Sequence, residues 1–139
     1  MGARTGGREV ALKMLFGLEA TQADVETAIV LYWREFGGDP ETRAHAEESV
    51  RGVIAERDAL DETIRTASEH WRLERMTRVD RNVLRLGTWE LRHRGDVPTE
   101  VVLDEAVELA KRYGSEESGA FVNGVLNQVA QTLRPSNGS

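Results

Sequence analysis

Cysteine is absent from this 139-residue chain and proline occurs only three times. Without cysteine there is no disulfide framework, no thiolate metal site and no thiol nucleophile. Scarce proline and the lack of any alternating β-branched run argue against a sheet-based architecture. No apolar stretch approaches the roughly 18 residues of a membrane-crossing helix. Nor does an apolar core follow Arg4 and Arg8 in the way a secretory signal requires. The expectation is a single cytoplasmic domain over residues 1–139, long enough to bury one core.

Catalytic patterns are missing too. His45, His70 and His93 have no spacing that would close a metal site with acids on one helix face. No serine sits in a nucleophile-elbow context, and no glycine-rich loop follows a strand to cradle phosphates. Acid pairs are frequent (Glu47-Glu48, Asp61-Glu62, Asp104-Glu105, Glu116-Glu117). Adjacent residues on a helix do not face each other, so these pairs read as solvated faces rather than acid–base machinery. The chain is therefore expected to bind rather than catalyse, with no cofactor and no metal.

Charge is scarce in one sign and concentrated in place. The formal net charge is −6, which argues against a simple nucleic-acid glove. Yet seven arginines (72, 75, 78, 81, 85, 92, 94) stand against Glu74, Asp80 and Glu90 between Trp71 and Arg94, a local +4 that leaves −10 elsewhere. Two arrangements fit: one basic face on an acidic body, or a solvated helix laced by i,i+4 pairs.

What the chain does have is helical periodicity. A first helix is expected from about Arg8 to Ala20 on Val10, Ala11, Met14, Leu15 and Leu18, after a mobile basic start over residues 1–7. Phe16 lies off that stripe, either at the core's edge or free to stack on a base. A second helix, from about Ala23 to Phe36, repeats Val25, Ile29, Tyr32, Trp33 and Phe36 and ends at Gly37-Gly38. Asp39 caps a third that starts at Pro40, with Ala46, Val50, Val53 and Ile54 inward. A fourth carries Leu60, Ile64 and Ala67. Thr77 caps the fifth, with Asp80 in an approximate capping box, and Arg81 and Arg85 sharing an exposed face. The sixth and seventh occupy Asp96 to Leu133, joined at Gly114, with Ser115 or Ser118 as cap. Gly124 interrupts the last helix at a cost of about 1 kcal/mol, which implies close approach by a helix backbone or by a ligand. Residues 135–139 read as a frayed tail.

Several segments together carry a resemblance. They are Arg8–Phe16, Val79–Leu91, Asp96-Val97-Pro98, Asp104–Gly114, Phe121-Val122-Asn123-Gly124-Val125-Leu126 and Arg134-Pro135. In this order and spacing the chain resembles the NusB family of bacterial transcription antitermination factors over essentially its whole length. The resemblance implies an all-α bundle of about seven helices in two packed subdomains. It further implies an RNA-binding adaptor that takes boxA RNA together with the ribosomal protein NusE, and reaches other Nus factors and RNA polymerase indirectly.

Carried over by position, Arg4, Arg8, Phe16, Arg81, Glu117, Phe121 and Asn123 would meet RNA, and Asp80 and Arg85 would meet NusE. Two departures thin the basic surface. The family's dense arginine run is here Arg4-Thr5-Gly6-Gly7-Arg8, and the basic residue often preceding its Phe-Val-Asn-Gly is Ala120. The resemblance therefore implies weak RNA binding by the isolated chain, with NusE, a basic partner, completing the site. Competing readings are a diverged paralogue acting as a homodimeric interaction module, and a fragment of an RNA methyltransferase. The second is set aside because no cofactor-binding sheet is expected in these residues.

Overall fold

Helix signals in the sequence translate into seven α-helices and one 3₁₀ turn among the described residues, with no strand. They are α1 (Ala3–Thr21), α2 (Val25–Phe36), α3 (Pro40–Ala55), α4 (Arg57–Ala67), α5 (Arg78–His93), α6 (Thr99–Tyr113) and α7 (Ser118–Leu133), with the 3₁₀ turn Leu73–Arg75 ahead of α5. The computed structural model describes residues 2–69 and 73–135. His70, Trp71, Arg72 and all of the expected tail except Pro135 lie outside them. Two compact units form, Met1–Ala55 and Glu56–Ser139.

In the first unit, α1 packs chiefly against α3. It begins at Ala3, well before Arg8, so the segment expected to be a loose start is helical. Close packing explains this. A Cβ on Gly7 would lie 2.7 Å from His45 Cβ and 3.3 Å from the Ala46 nitrogen, so glycine lets the two backbones approach. That tertiary contact outweighs the poor helix propensity of Gly6 and Gly7. Ala11, Leu12, Met14, Leu15 and Leu18 of α1 are buried with Ala46, Val50 and Val53 of α3.

Helix α2 keeps its expected stripe except at Phe36: Ile29 is buried and Val25, Tyr32 and Trp33 are half-buried, while Phe36 is exposed, as are Val30 and Leu31 off the stripe. Polar and aromatic edges also hold it to α3. Trp33 Nε1 donates to Glu47 Oε2 at 2.9 Å, and Arg51 bridges Glu26 and Glu47 at 2.8 and 3.1 Å. Gly37 takes φ +67°, which favours glycine, to end α2. Asp39 then caps α3, accepting from the Thr42 N–H at 3.0 Å and its hydroxyl at 2.8 Å.

In the second unit α4, α6 and α7 all pack on α5. Thr77 Oγ1 accepts from the Asp80 N–H at 3.1 Å, the expected cap. A Cβ on Gly87 would lie 2.7 Å from Leu126 Cδ1, so this glycine sets how closely α5 and α7 cross. The far end of α5 is closed by one side chain. Arg134 donates from Nε to the Leu91 carbonyl at 3.0 Å, and from its two terminal nitrogens to the carbonyls of Val97, Arg94 and Glu90 at 2.7, 2.7 and 3.3 Å. The last carbonyls of a helix have no partner within it, and a guanidinium fork satisfies several at once.

Two outcomes follow for stability. Arg134→Ala should lower it by about 2–4 kcal/mol, since charge-assisted bonds to several carbonyls are lost together. Arg134→Lys should recover only part of that in urea unfolding. In acid, three carboxyls matter: Asp39, lowered by Thr42, Glu26, lowered by the Arg51 guanidinium, and Glu56, lowered by its hydrogen bond with His93. Their contribution is complete above the ordinary values of 3.8 and 4.5 and is lost as pH falls through the depressed folded values. The urea midpoint should therefore hold above about pH 5 and drop below about pH 4.

Candidate nucleic-acid interface

Arginine density along α5 suggested a basic face, but the structure buries Arg85 and Arg94 and leaves Arg78, Arg81 and Arg92 half-buried. Arg85 is buried and forms a two-pronged pair with buried Asp61 of α4, Nε–Oδ1 at 2.7 Å and Nη2–Oδ2 at 3.0 Å. Its Nη1 also donates to Asn82 Oδ1 at 3.2 Å, and Asn82 Nδ2 donates to the Arg78 carbonyl at 2.9 Å. Half-buried Arg81 donates to the carbonyls of Met76 and Leu73 at 2.8 and 3.2 Å, pinning the 3₁₀ turn. Arg94 is buried with its guanidinium 5.1 Å from the Trp89 ring centroid. Arg92 reaches Thr63 Oγ1 at 3.0 Å and Glu56 at 3.5 Å.

The expectation that Arg81 and Arg85 share an exposed face is therefore corrected. The physical reason is that α5 is buried from Asn82 through Leu91, so a charged group there must find an internal partner. Asp80 is buried as well, and its Oδ1 has no hydrogen-bond partner among the described residues. Arg8 in α1 is likewise buried rather than offered to solvent. Asp61 was missed because it sits in an apparently solvated acid pair. Its partner lies 24 residues away, a distance that leaves no local sequence signature.

Other candidates do present surface. In the first unit Arg4 is exposed and Phe16 is 40% exposed. In the second, the turn from α6 to α7 is tight. A Cβ on Gly114 would lie 2.4 Å from Ser118 Oγ and 2.7 Å from the Ala110 carbonyl, so only glycine fits. Ser118 Oγ accepts from the Ser115 N–H at 2.9 Å, and Glu117 beside it is exposed.

Helix α7 then shows three surfaces. Phe121, half-buried, lines a groove of about 410 Å³ with Ala67, Ser68 and Glu69 at the end of α4 and with Gly124, Val125 and Gln128. Ala120 and Gly124 are exposed in the middle. Asn123 is exposed too, but at about 100° per residue it falls on the flank away from Phe121. Ring and amide thus address different sides of α7 rather than one spot. Of the two readings of Gly124, a packed helix backbone is not observed among the described residues: a Cβ there would meet none of them within 4 Å. No group of three potential metal ligands exists among the described residues.

Residues 5–131 match the model of the NusB family. The chain belongs to that family. It is similar to the transcription antitermination protein NusB of Sorangium cellulosum, 63% identical over 133 residues, covering 96% of this chain and 95% of that one. The NusB of Myxococcus xanthus is 48% identical over 137 residues, with 96% and 98% covered. Among solved structures, T. maritima NusB superposes with a TM-score of 0.84 at 40% identity, covering 92% of this chain and 90% of that one. A structure of antitermination factors NusB and NusE in complex with dsRNA gives a TM-score of 0.87 at 26% identity, with 95% and 98% covered. Membership in NusB, a family of non-enzymatic antitermination factors, agrees with the lack of a catalytic constellation.

For this NusB-family chain the Arg85–Asp61 pair is a folding element. Asp61→Ala leaves a buried guanidinium without its carboxylate and should cost about 3–5 kcal/mol. Replacing both residues by leucine and methionine should cost far less than the sum of the single changes. A double-mutant cycle in urea checks this, and near-additive losses would refute the coupling.

Proposed function

We propose that this chain is an RNA-binding transcription antitermination factor that takes boxA-type RNA jointly with NusE and supports processive transcription of ribosomal RNA operons in the cytoplasm. Other Nus factors and RNA polymerase are then reached through that complex. The observation that carries the reading is Phe121 at the wall of an open groove on α7, beside the small exposed residues Ala120 and Gly124. Single-stranded bases bind by stacking on such rings, and small residues let the nucleic-acid backbone come close. Relatives named for antitermination and the NusB–NusE complex with dsRNA support it.

In this reading Arg4, Phe16, Glu117, Phe121 and Asn123 are contact residues, since each presents surface. Arg8, Arg81, Arg85 and Asp80 are buried or half-buried, and act by holding α1 and α5 in shape for RNA and NusE. On a chain of net charge −6, stacking carries more of the affinity than counterion release does. A homodimeric interaction module is the second reading, favoured by the exposed apolar residues Val30, Leu31 and Phe36 of α2.

Titration of labelled boxA-type RNA, with and without NusE, tests both. Affinity should rise with NusE, and the chain alone should show a shallow salt dependence. Phe121→Ala should weaken binding about 5- to 100-fold, the worth of one stacked base, with helix content unchanged. A stable dimer in sedimentation together with no gain from NusE would favour the second reading. Equal affinity in parent and Phe121→Ala would remove that ring from the site.

A further inference from the structure

Helix α7 carries no Asp, Glu, Lys or Arg anywhere from Ser118 to Leu133. A phosphate lying along its exposed face must draw its cation from a neighbouring element. One side chain is placed to supply it. A Cβ on Gly119 would lie 3.1 Å from Lys111 Cγ and 3.3 Å from its Cε. The aliphatic stem of Lys111 thus lies across α7 at Gly119, as amphipathic side chains do when they cover apolar surface and leave the charged head in water. Lys111 is exposed and makes no hydrogen bond or ion pair with a described residue, including Glu108, Glu116 and Glu117 close by in the chain.

We propose that Lys111 of α6 is the phosphate-binding cation of the α7 surface. Gly119 and Asn123 share one flank of α7, being four residues apart. Phe121 occupies the other flank, with Ala120 and Gly124 between. A single strand crossing this face would place a phosphate by Lys111, its backbone over the two small residues, and a base against the Phe121 ring. Gly119 has a defined part here, because a Cβ would make the lysine stem shift by a few tenths of an ångström.

This inference rests on the RNA-binding reading, so the experiment separates the two. Parent, Lys111→Gln and Lys111→Arg full chains are titrated with labelled boxA-type RNA in the presence of NusE over a range of salt. Glutamine keeps most of the stem, and an unchanged urea midpoint checks the fold. Lys111→Gln should weaken binding about fivefold at moderate salt and make the log–log salt slope shallower by about 0.7, the value of one single-strand phosphate contact. Lys111→Arg, which keeps the charge, should retain both. An unchanged slope overturns the proposal, whether or not affinity falls, because a loss without a slope change does not come from a phosphate contact. Parent chain that binds no RNA overturns the RNA reading and this inference together. Loss of binding in Phe121→Ala but not in Lys111→Gln overturns the inference alone.

Discussion

Burial of α5 is the constraint from which the second unit follows. From Asn82 through Leu91 every residue of this helix is buried, although the stretch includes Arg85, Thr88 and Glu90. A charge taken out of water is tolerated only with a partner of matching geometry. Asp61 on α4 supplies that partner, so the register of α4 against α5 is tied to a planar fork meeting a carboxylate. At the other end, Arg134 threads the carbonyls that α5 and the following turn leave open. The chain after α7 is thereby anchored to the helix it follows by more than 40 residues. Both devices use arginine for the same reason: a guanidinium offers several donors in a fixed plane.

This inward use of arginine changes what the local charge means. A stretch of +4 would ordinarily suggest a surface for polyanions. Here Arg85 and Arg94 are buried, as are Asp80 and Glu90, and Arg81 is spent on backbone carbonyls, so only part of the arginine row, Arg75 foremost, is offered to solvent. Among the described residues burial removes both signs equally, Arg8, Arg85 and Arg94 against Asp61, Asp80 and Glu90, so the exterior keeps the acidic balance of the net charge of −6. A polyanion approaching such a body gains little from long-range attraction, and a basic protein partner gains a good deal. The joint binding of RNA with a basic partner that we propose fits this charge distribution.

Much of the fold was legible locally, and the failures share one cause. Asp39 and Thr77 cap their helices as their side-chain chemistry demands, and Gly37 ends α2 at a positive φ. The positions 46, 50 and 53 are fully buried as their spacing requires. Misread were the start of α1, the burial of Phe36 at the end of α2 and the orientation of Arg81 and Arg85. Each depends on what another helix brings. Gly6 and Gly7 look like a loose segment until α3 is placed against them. Arg85 looks solvated until α4 presents Asp61. Periodicity along one helix reports how many faces are apolar, not whether a polar residue on the remaining face will meet a partner. Phe121 and Asn123 were nominated together as sequence neighbours, yet helical rotation puts them on separate flanks.

Gly124 brings these strands of argument to one residue. A glycine inside a helix costs about 1 kcal/mol relative to alanine, and packing usually explains its presence. Gly87 fits that pattern, lying against Leu126, and so does Gly119, lying beneath Lys111. Gly124 does not: it is exposed, and a methyl group there would touch nothing within 4 Å. Alanine would stabilise α7 without a steric penalty in this unbound chain. Packing among the described residues therefore does not account for this glycine. With an aromatic groove on one side and a lysine laid over the other, the nucleic-acid strand we propose would do so, by coming closer to the backbone of α7 than a Cβ allows.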